Sequence, residues 1–174
     1  MKTVLITGTD GFVGKNLVAA LKRHDDVRPI LFDVNTDPAV LDAGLAEADL
    51  IYHLAGVNRP KDVSQFVTGN TRLTERMLAR LVELGRRPTF VLSSSAQVEL
   101  DNPYGRSKKA AEDAVLKFND RTGAPVCVYR FPGIFGKGSR PDYNTVVATF
   151  CHNIARGLDI TINDPNREME LVYI

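Results

Sequence analysis

The sequence has few of the features that mark disulfide-stabilised, metal-binding, membrane or nucleic-acid-binding proteins. Its two cysteines, Cys127 and Cys151, are too few for a disulfide scaffold and favour a reduced, cytoplasmic protein. The cysteines and three histidines form no cluster with metal-ligand spacing, so we expect no metal. The net charge of +1 gives no reason to expect nucleic acid or an anionic membrane as a partner.

Long apolar runs are also absent. No run reaches the length of a membrane span, and the residues from Thr7 to Asp10 interrupt the apolar core that a secretory signal would need. The chain has 174 residues, of which 44% are hydrophobic and 25% charged, as is typical of one soluble globular domain. We therefore expect a single domain over residues 1–174.

The residues from Lys2 to Leu21 predict a strand, a glycine turn and a helix. The run from Val4 to Ile6 is typical of a buried parallel strand. In a dinucleotide-binding turn, Gly8 would let the chain turn sharply, Gly11 would let a pyrophosphate approach, and Gly14 would let the helix pack closely. The helix N-terminus would offer N–H groups to the phosphates. A glycine turn without a ligand is the alternative, and the correct flanks disfavour it.

An acidic residue follows the second predicted strand. Val27 to Phe32 predicts that strand, and Asp33 comes about 20 positions after the glycine turn. An acid at this place accepts hydrogen bonds from the adenosine ribose hydroxyls, so it favours NAD and would repel a 2′-phosphate. A solvated aspartate at a strand end is the alternative.

The rest of the chain alternates strands with helices. We predict strands over 4–6, 27–32, 50–54, 89–92, 126–131, 160–162 and 170–174. We predict helices over 12–21, 39–48, 60–83, 103–121 and 143–156, with loops over 96–102 and 132–141. His53 lies in the third strand and is expected in the core. The alternation predicts an α/β fold, a Rossmann-like doubly wound parallel sheet with its ligand at the carboxyl ends of the strands.

Three side chains at the predicted strand ends suit proton transfer coupled to hydride transfer. Tyr104 and Lys108 lie four apart on one helix and hence on one face. A free tyrosine has a pKa of about 10, and a nearby ammonium together with a positive nicotinamide ring would favour its phenolate. Ser95 could polarise a carbonyl. A chance spacing, with the serine as a strand-end cap, is the alternative.

Together these motifs resemble the extended short-chain dehydrogenase/reductases, the NAD(P)-dependent epimerases, dehydratases and reductases of nucleotide sugars. The resemblance covers the whole chain. It is carried by Thr7-Gly8-x-x-Gly11-x-x-Gly14, His53-Leu54-Ala55-Gly56, Asn70, Ser93-Ser94-Ser95 and Tyr104-x-x-x-Lys108. It implies that Tyr104 is the acid–base, that Lys108 lowers its pKa and binds the nicotinamide ribose, and that Ser95 holds the substrate oxygen. It also implies that Asn70 disrupts its helix and anchors a water beside Lys108.

The resemblance implies two further sets of site residues. The expected cofactor-binding residues are Gly8, Asp10, Gly11, Phe12, Val13, Gly14, Asp33, Leu54, Ala55, Gly56, Ser93, Tyr104, Lys108 and Phe131. The expected substrate-binding residues are Asn58, Arg59, Lys137, Arg140 and Asn144. The last set would meet a UDP-sugar, with the basic side chains of Lys137 and Arg140 facing its diphosphate.

A closer similarity joins the chain to the bacterial capsule and O-antigen reductases that act on UDP-2-acetamido-2,6-dideoxy-hexos-4-uloses. It is carried by Ala55-Gly56-Val57-Asn58-Arg59-Pro60, Asp101-Asn102-Pro103-Tyr104-Gly105, Arg140-Pro141-x-Tyr143-Asn144 and Val147-Ala148-Thr149-Phe150-Cys151. It implies reduction of the 4-keto group with NADPH, whereas Asp33 favours NAD, so both cofactors stay open. It also implies that the C-terminal substrate-binding part, followed by a cupin in this subgroup, is incomplete here.

Two other functions stay open. A nucleotide-sugar 4-epimerase uses the same three side chains, and a non-catalytic NAD(P)-binding module would fit Gly133, which stands where the family has an asparagine. A 4,6-dehydratase is not expected, because the family's dehydratases place Asp-Glu where this chain has Ala96 and Gln97. The resemblance further implies a homodimer built from the helices over 60–83 and 104–121.

Overall fold

The structure is a computed structural model that describes residues 1–174. The chain forms two compact units, Met1–Arg130 and Phe131–Ile174. None of its helices combines the length and the apolar character that crossing a membrane requires.

The first unit alternates strands and helices as the sequence predicts. Its strands are β1 (Lys2–Thr7), β2 (Val27–Phe32), β3 (Leu50–His53), β4 (Thr89–Ser95) and β5 (Val126–Phe131), the last of which ends one residue inside the second unit. Its helices are α1 (Phe12–Leu21), α2 (Pro38–Glu47), α3 (Ser64–Phe66), α4 (Leu73–Glu83) and α5 (Pro103–Thr122). A π-helix over Val67–Arg72 joins α3 to α4, and a 3₁₀ turn over Ala96–Glu99 follows β4.

The five strands form one sheet in the order β2-β1-β3-β4-β5. The pairs β1–β2, β1–β3 and β3–β4 are parallel, and Thr7, His53 and Leu92 align at neighbouring carboxyl ends. From β1 the chain passes to β2 at one edge of the sheet, and it then crosses back to add β3, β4 and β5 on the other side of β1. Right-handed crossovers then place α1 on one face and α2, α4 and α5 on the other, which confirms the doubly wound sheet.

The main core lies between the sheet and the second group of helices. Leu5, Ile51 and Phe90 from the strands pack with Leu45 of α2 and Val115 of α5, and all five are almost completely buried. Burial of this apolar surface stabilises the packing of α2 and α5 against the sheet.

Local signals at the helix ends explain their bounds. Asp37 caps α2 by accepting a hydrogen bond from the Ala39 N–H at 2.8 Å. Asn102 caps α5 in the same way, accepting from the Gly105 N–H at 2.7 Å. Gly123 ends α5 with a φ of +72°, a conformation that glycine adopts without strain.

The second unit differs in part from the prediction. It contains β6 (Gly133–Phe135), α6 (Val146–Ile154) and β7 (Leu171–Tyr173), and β6 pairs in parallel with β7. The strand predicted over 160–162 is wrong, and β6 lies where we predicted a loop. Helix α6 is shorter than the predicted 143–156. A three-residue strand forms only when a distant segment pairs with it, so local sequence did not reveal β6.

Candidate active site

The glycine turn after β1 is packed against the end of β3 and the start of α1. Gly8 has a φ of +75°, and a Cβ there would lie 2.6 Å from the Ala55 backbone nitrogen. A Cβ at Gly14 would lie 2.1 Å from the Gly8 carbonyl oxygen. Glycine is therefore required at both positions for the turn to close.

Gly11 is exposed and caps α1 without a side-chain hydrogen bond. The amides at Phe12, Val13 and Gly14, in the first turn of this ten-residue helix, therefore lack a side-chain cap. They form the positive end of the helix dipole. An open helix N-terminus beside a glycine without a Cβ fits the pyrophosphate of a dinucleotide.

Asp33 lies directly against this turn. Its Oδ2 accepts a hydrogen bond from the Asp10 N–H at 2.7 Å, and its Oδ1 accepts one from the Val34 N–H at 2.7 Å. The Asp33 N–H donates to the Thr36 hydroxyl at 2.9 Å. The carboxylate is thus fixed beside the glycine turn, the place at which a dinucleotide-binding fold needs an acid for the ribose. The glycine turn and Asp33 together have a geometry that fits a dinucleotide.

His53 is buried at the end of β3, as the sequence predicts. The Thr7 hydroxyl accepts from the Ala55 N–H at 3.2 Å and donates to His53 Nδ1 at 2.7 Å. The other ring nitrogen, Nε2, then donates to the Thr74 hydroxyl at 2.9 Å, which donates to the Asn70 carbonyl at 2.7 Å. Burial lowers the pKa of His53 to about 3, so the ring is neutral in this chain of bonds.

Asn70 lies in the π-helix, which is the local disruption that the resemblance implies. Its Oδ1 accepts from the Val57 N–H at 2.7 Å, and its Nδ2 donates to the Val57 carbonyl at 2.9 Å and to the Ser107 hydroxyl at 3.0 Å. A Cβ at Gly69 would lie 2.5 Å from Val57 Cγ2. The Gly69-Asn70 pair, unfavourable in an ordinary helix, therefore fits a close approach to the loop after β3.

Tyr104, Lys108 and Ser95 come together at the carboxyl end of β4. Burial raises the pKa of Tyr104 above its ordinary value, and a hydrogen bond with Ser95 opposes that shift. The Lys108 ammonium is buried and donates to the Ser93 carbonyl at 2.6 Å. Burial lowers the pKa of Lys108 to about 8, and the Glu112 carboxylate opposes this shift. A proton donor, a cation and a hydroxyl thus share one small site.

Two features of this site escaped the sequence analysis. The Phe66 ring packs on the Tyr104 ring with centroids 5.6 Å apart, although only its apolar character marked it in the sequence. A Cβ at Gly56 would lie 2.9 Å from Asn70 Oδ1 and 3.6 Å from Lys108 Nζ. The half-buried residues Leu54 and Ala55 precede this glycine. The end of β3 therefore runs past both polar side chains.

The predicted substrate residues lie in two loops. Asn58 and Arg59 are exposed in the loop after β3. The second unit begins with Phe131 at the end of β5, and it carries Lys137, Arg140 and Asn144 between β6 and α6, all three exposed. The Arg140 guanidinium carbon lies 5.7 Å from the centre of the Tyr143 ring.

Gly133 stands where the family pattern has an asparagine, and its surroundings are close but not rigid. It lies on β6, where a Cβ would approach Leu171 Cδ2 to 2.7 Å. Leu171 pairs with Gly133 between β6 and β7, and its exposed side chain would have to turn aside for an asparagine at this position.

Comparison with known proteins agrees with the geometry. Residues 4–174 match the model of the NAD dependent epimerase/dehydratase family. The chain is 43% identical over 171 residues to a UDP-2-acetamido-2,6-beta-L-arabino-hexul-4-ose reductase of Pseudomonas aeruginosa, covering 98% of this chain and 46% of that protein. It is 29% identical over 154 residues to a ceramide reductase of Caulobacter vibrioides, covering 78% of this chain and 47% of the relative.

Solved structures extend the likeness. The capsular polysaccharide assembling protein CapF of Staphylococcus aureus superposes with a TM-score of 0.85 at 42% identity, covering 98% of this chain and 46% of that one. A UDP-glucuronic acid 4-epimerase of Bacillus cereus, solved with NAD, has a TM-score of 0.85 at 20% identity, covers 98% of this chain and 68% of that one, and supports the fold alone.

The chain spans about half the length of the curated relatives it matches. The predicted resemblance to the extended short-chain dehydrogenase/reductases, and within them to the capsule reductases, is confirmed. This chain belongs to the NAD dependent epimerase/dehydratase family.

Proposed function

We propose that the protein reduces the 4-keto group of a UDP-linked 2-acetamido-2,6-dideoxy sugar with a reduced nicotinamide cofactor. The observation that carries the proposal is the meeting of Ser95, Tyr104 and Lys108 at the carboxyl end of β4. The 43% identity to a 4-ketohexose reductase supports this substrate class. In this reaction a hydride reaches the C4 carbon, and its oxygen gains a proton.

The cofactor, when bound, would supply the hydride. The chain would bind its pyrophosphate at Gly8, Gly11 and Gly14 and its adenosine ribose at Asp33. Tyr104 would donate the proton to the carbonyl oxygen. Its phenol is protonated at neutral pH, and the bound nicotinamide ring and the Lys108 ammonium would oppose the rise in pKa that burial causes. Ser95 would hydrogen-bond that oxygen, and Lys108 would hold the nicotinamide ribose.

NADH fits the glycine turn and Asp33 better than NADPH. The Asp33 carboxylate lies against the glycine turn, and a 2′-phosphate there would meet a like charge. Val34, Asn35 and Thr36 follow it, none of them basic. These residues support NADH as the preferred cofactor, against the NADPH that the subgroup implies.

The remaining roles rest on the resemblance. Asn58, Arg59, Lys137, Arg140 and Asn144 would bind the UDP-sugar, Asn70 would anchor a water beside Lys108, and the 174 residues would form one NAD(P)-binding domain with part of the substrate-binding region. The protein would act in the cytoplasm as a homodimer through α4 and α5.

The test measures consumption of reduced cofactor by the purified protein with the UDP-linked 4-ketohexose. We expect turnover in the parent, its loss in Tyr104→Phe, and its retention in Tyr129→Phe, which alters an exposed tyrosine of β5. A Tyr104→Phe variant that keeps the parental rate would overturn the mechanism. Interconversion of C4 epimers without net cofactor consumption would point to an epimerase. Cofactor binding without any turnover would point to a binding module.

A further inference from the structure

A buried carboxylate that the proposed reaction does not use lies one turn beyond Lys108. Glu112 is 2% exposed on α5. Its Oε1 accepts from the Ser94 hydroxyl at 2.5 Å and from Arg130 Nε at 3.0 Å. Its Oε2 accepts from an Arg130 terminal nitrogen at 2.8 Å. The carboxylate is therefore fully paired, and its forked contact with the guanidinium fixes its orientation.

These bonds attach α5 to the end of β4 at two successive residues. Lys108 holds the Ser93 carbonyl, and Glu112 holds the Ser94 hydroxyl. The next residue is Ser95, whose hydroxyl is bonded to Tyr104 of the same helix. Because Ser93 and Ser94 are both held by α5, the position of Ser95 relative to Tyr104 is fixed. The rate of a reaction is sensitive to small displacements of such groups.

The carboxylate also balances charge beside Lys108. The ammonium donates to the Ser93 carbonyl and loses solvation through burial, so an anion four residues along the helix favours its charged form. The charged or titratable groups around the pair are those of Tyr104, Lys109, Arg130, Glu99 and His53. Of these, Glu99 bonds Arg130, Lys109 bonds Asp113, and His53 is neutral, so Glu112 is the buried anion that acts on Lys108.

We propose that Glu112 is a positioning residue of the reductase site: held by Arg130, it anchors Ser94 to α5 and keeps the Lys108 ammonium charged. It acts through Ser94 and Lys108 and contacts neither substrate nor cofactor. This inference rests on the proposed function for its effect on rate, whereas its effect on the lysine is a property of the protein alone.

The electrostatic part is tested by Glu112→Gln, with Asp113→Asn as the matched control. The control removes the same charge from the next residue, whose side chain is 47% exposed and pairs with Lys109. Lysine side-chain NMR of the purified protein, without substrate, follows the Lys108 titration. We expect Glu112→Gln to lower the Lys108 pKa by about one unit, which reduces the charged fraction about fivefold at a pH near that pKa, and Asp113→Asn to leave it unchanged.

The anchoring part is tested by Ser94→Ala, which leaves the Glu112–Arg130 pair whole. We expect kcat to fall about tenfold with KM for the cofactor unchanged and with no shift of the Lys108 titration. Glu112→Asp restores the charge and is expected to recover the Lys108 pKa. A parental rate in Ser94→Ala, or a parental Lys108 titration in Glu112→Gln, would overturn the proposal.

The two proposals fail separately. Parental turnover of the 4-ketohexose by Ser94→Ala and Glu112→Gln would leave the proposed function intact and remove the role of Glu112. A shifted Lys108 titration in Glu112→Gln, in a protein that does not reduce the 4-ketohexose, would remove the proposed function and keep the electrostatic role.

Discussion

The Asn70 carboxamide and the backbone N–H and carbonyl of Val57 form a reciprocal pair of hydrogen bonds. The Val57 N–H donates to Asn70 Oδ1 at 2.7 Å, and Asn70 Nδ2 donates to the Val57 carbonyl at 2.9 Å. A buried side chain in the π-helix thereby holds the loop that leaves β3 beside Lys108. Only a carboxamide both donates and accepts in this geometry.

Replacing Asn70 by alanine should therefore loosen that loop and destabilise the fold. Two backbone groups of Val57 would lose their partners, and at about 1 kcal/mol each the free energy of unfolding should fall by about 2 kcal/mol. Urea unfolding measures the change. Asn35→Ala, in an exposed loop, is the control and should change stability by less than about 0.5 kcal/mol. Equal stability of the two variants would contradict the assigned role.

The neutral His53 should make stability depend on pH. Its pKa is about 3 in the folded chain and about 6.5 in an unfolded one, so between these values the unfolded state binds the extra proton. Its contribution to stability should thus be full above pH 6.5 and fall by up to about 1.4 kcal/mol per unit as pH drops towards 3.

Denaturant unfolding at several pH values compares the parent with His53→Gln. The variant lacks the titrating ring, so the difference between the two stabilities should shrink as pH falls. His24→Gln changes an exposed histidine before β2 and should keep the parental pH dependence. A constant difference between parent and His53→Gln over this range would show that the ring is not held neutral.

Changing Asp33 to asparagine should shift cofactor preference towards NADPH. The variant removes the negative charge beside the glycine turn, where we propose that the ribose binds, and keeps one oxygen to accept from the Asp10 N–H. We expect the ratio of NADH to NADPH affinity to fall about tenfold or more, through both weaker ribose binding and less repulsion of the 2′-phosphate.

Calorimetric titration with each cofactor measures that ratio. Asp25→Asn, an exposed acid before β2, carries the same charge change away from the turn and should leave the ratio unchanged. A parent that prefers NADPH would refute the role given to Asp33.

Two alanine substitutions in the glycine turn should have different consequences, one for stability and the other for cofactor affinity. A Cβ at Gly14 would lie 2.1 Å from the Gly8 carbonyl oxygen, so Gly14→Ala should lower the free energy of unfolding by about 2–3 kcal/mol. At Gly11 the nearest atom, the same oxygen, would lie 3.2 Å away, and the position is exposed. Gly11→Ala should therefore fold normally and bind NADH about tenfold or more weakly, because the methyl group obstructs the pyrophosphate.

Thermal unfolding and cofactor titration of both variants provide the measurements. Retained affinity in a folded Gly11→Ala protein would show that the phosphates bind elsewhere.

Residues with strong local signals were predictable from the sequence. Gly8, Gly11 and Gly14 stand between an apolar run and a helical pattern, and Pro103 after Asn102 marks the start of α5. These features depend on backbone geometry and capping within a few residues. The Gly69-Asn70 pair also signalled a disturbed helix, but its π-helical form follows from the bonds between Asn70 and Val57, 13 residues away.

Local sequence was enough to predict the alternating elements of the first unit, the glycine turn and the placing of Tyr104 and Lys108 on one helix face, because each depends on neighbours along the chain. Three sets of contacts depend on the folded arrangement of the chain: β6 pairs with β7, His53 joins Thr7 to Thr74, and Glu112 meets Ser94 and Arg130. Those contacts join residues that are 18 to 46 positions apart in the sequence. The free energy that favours them comes from burial and hydrogen bonding that exist only once the chain has folded.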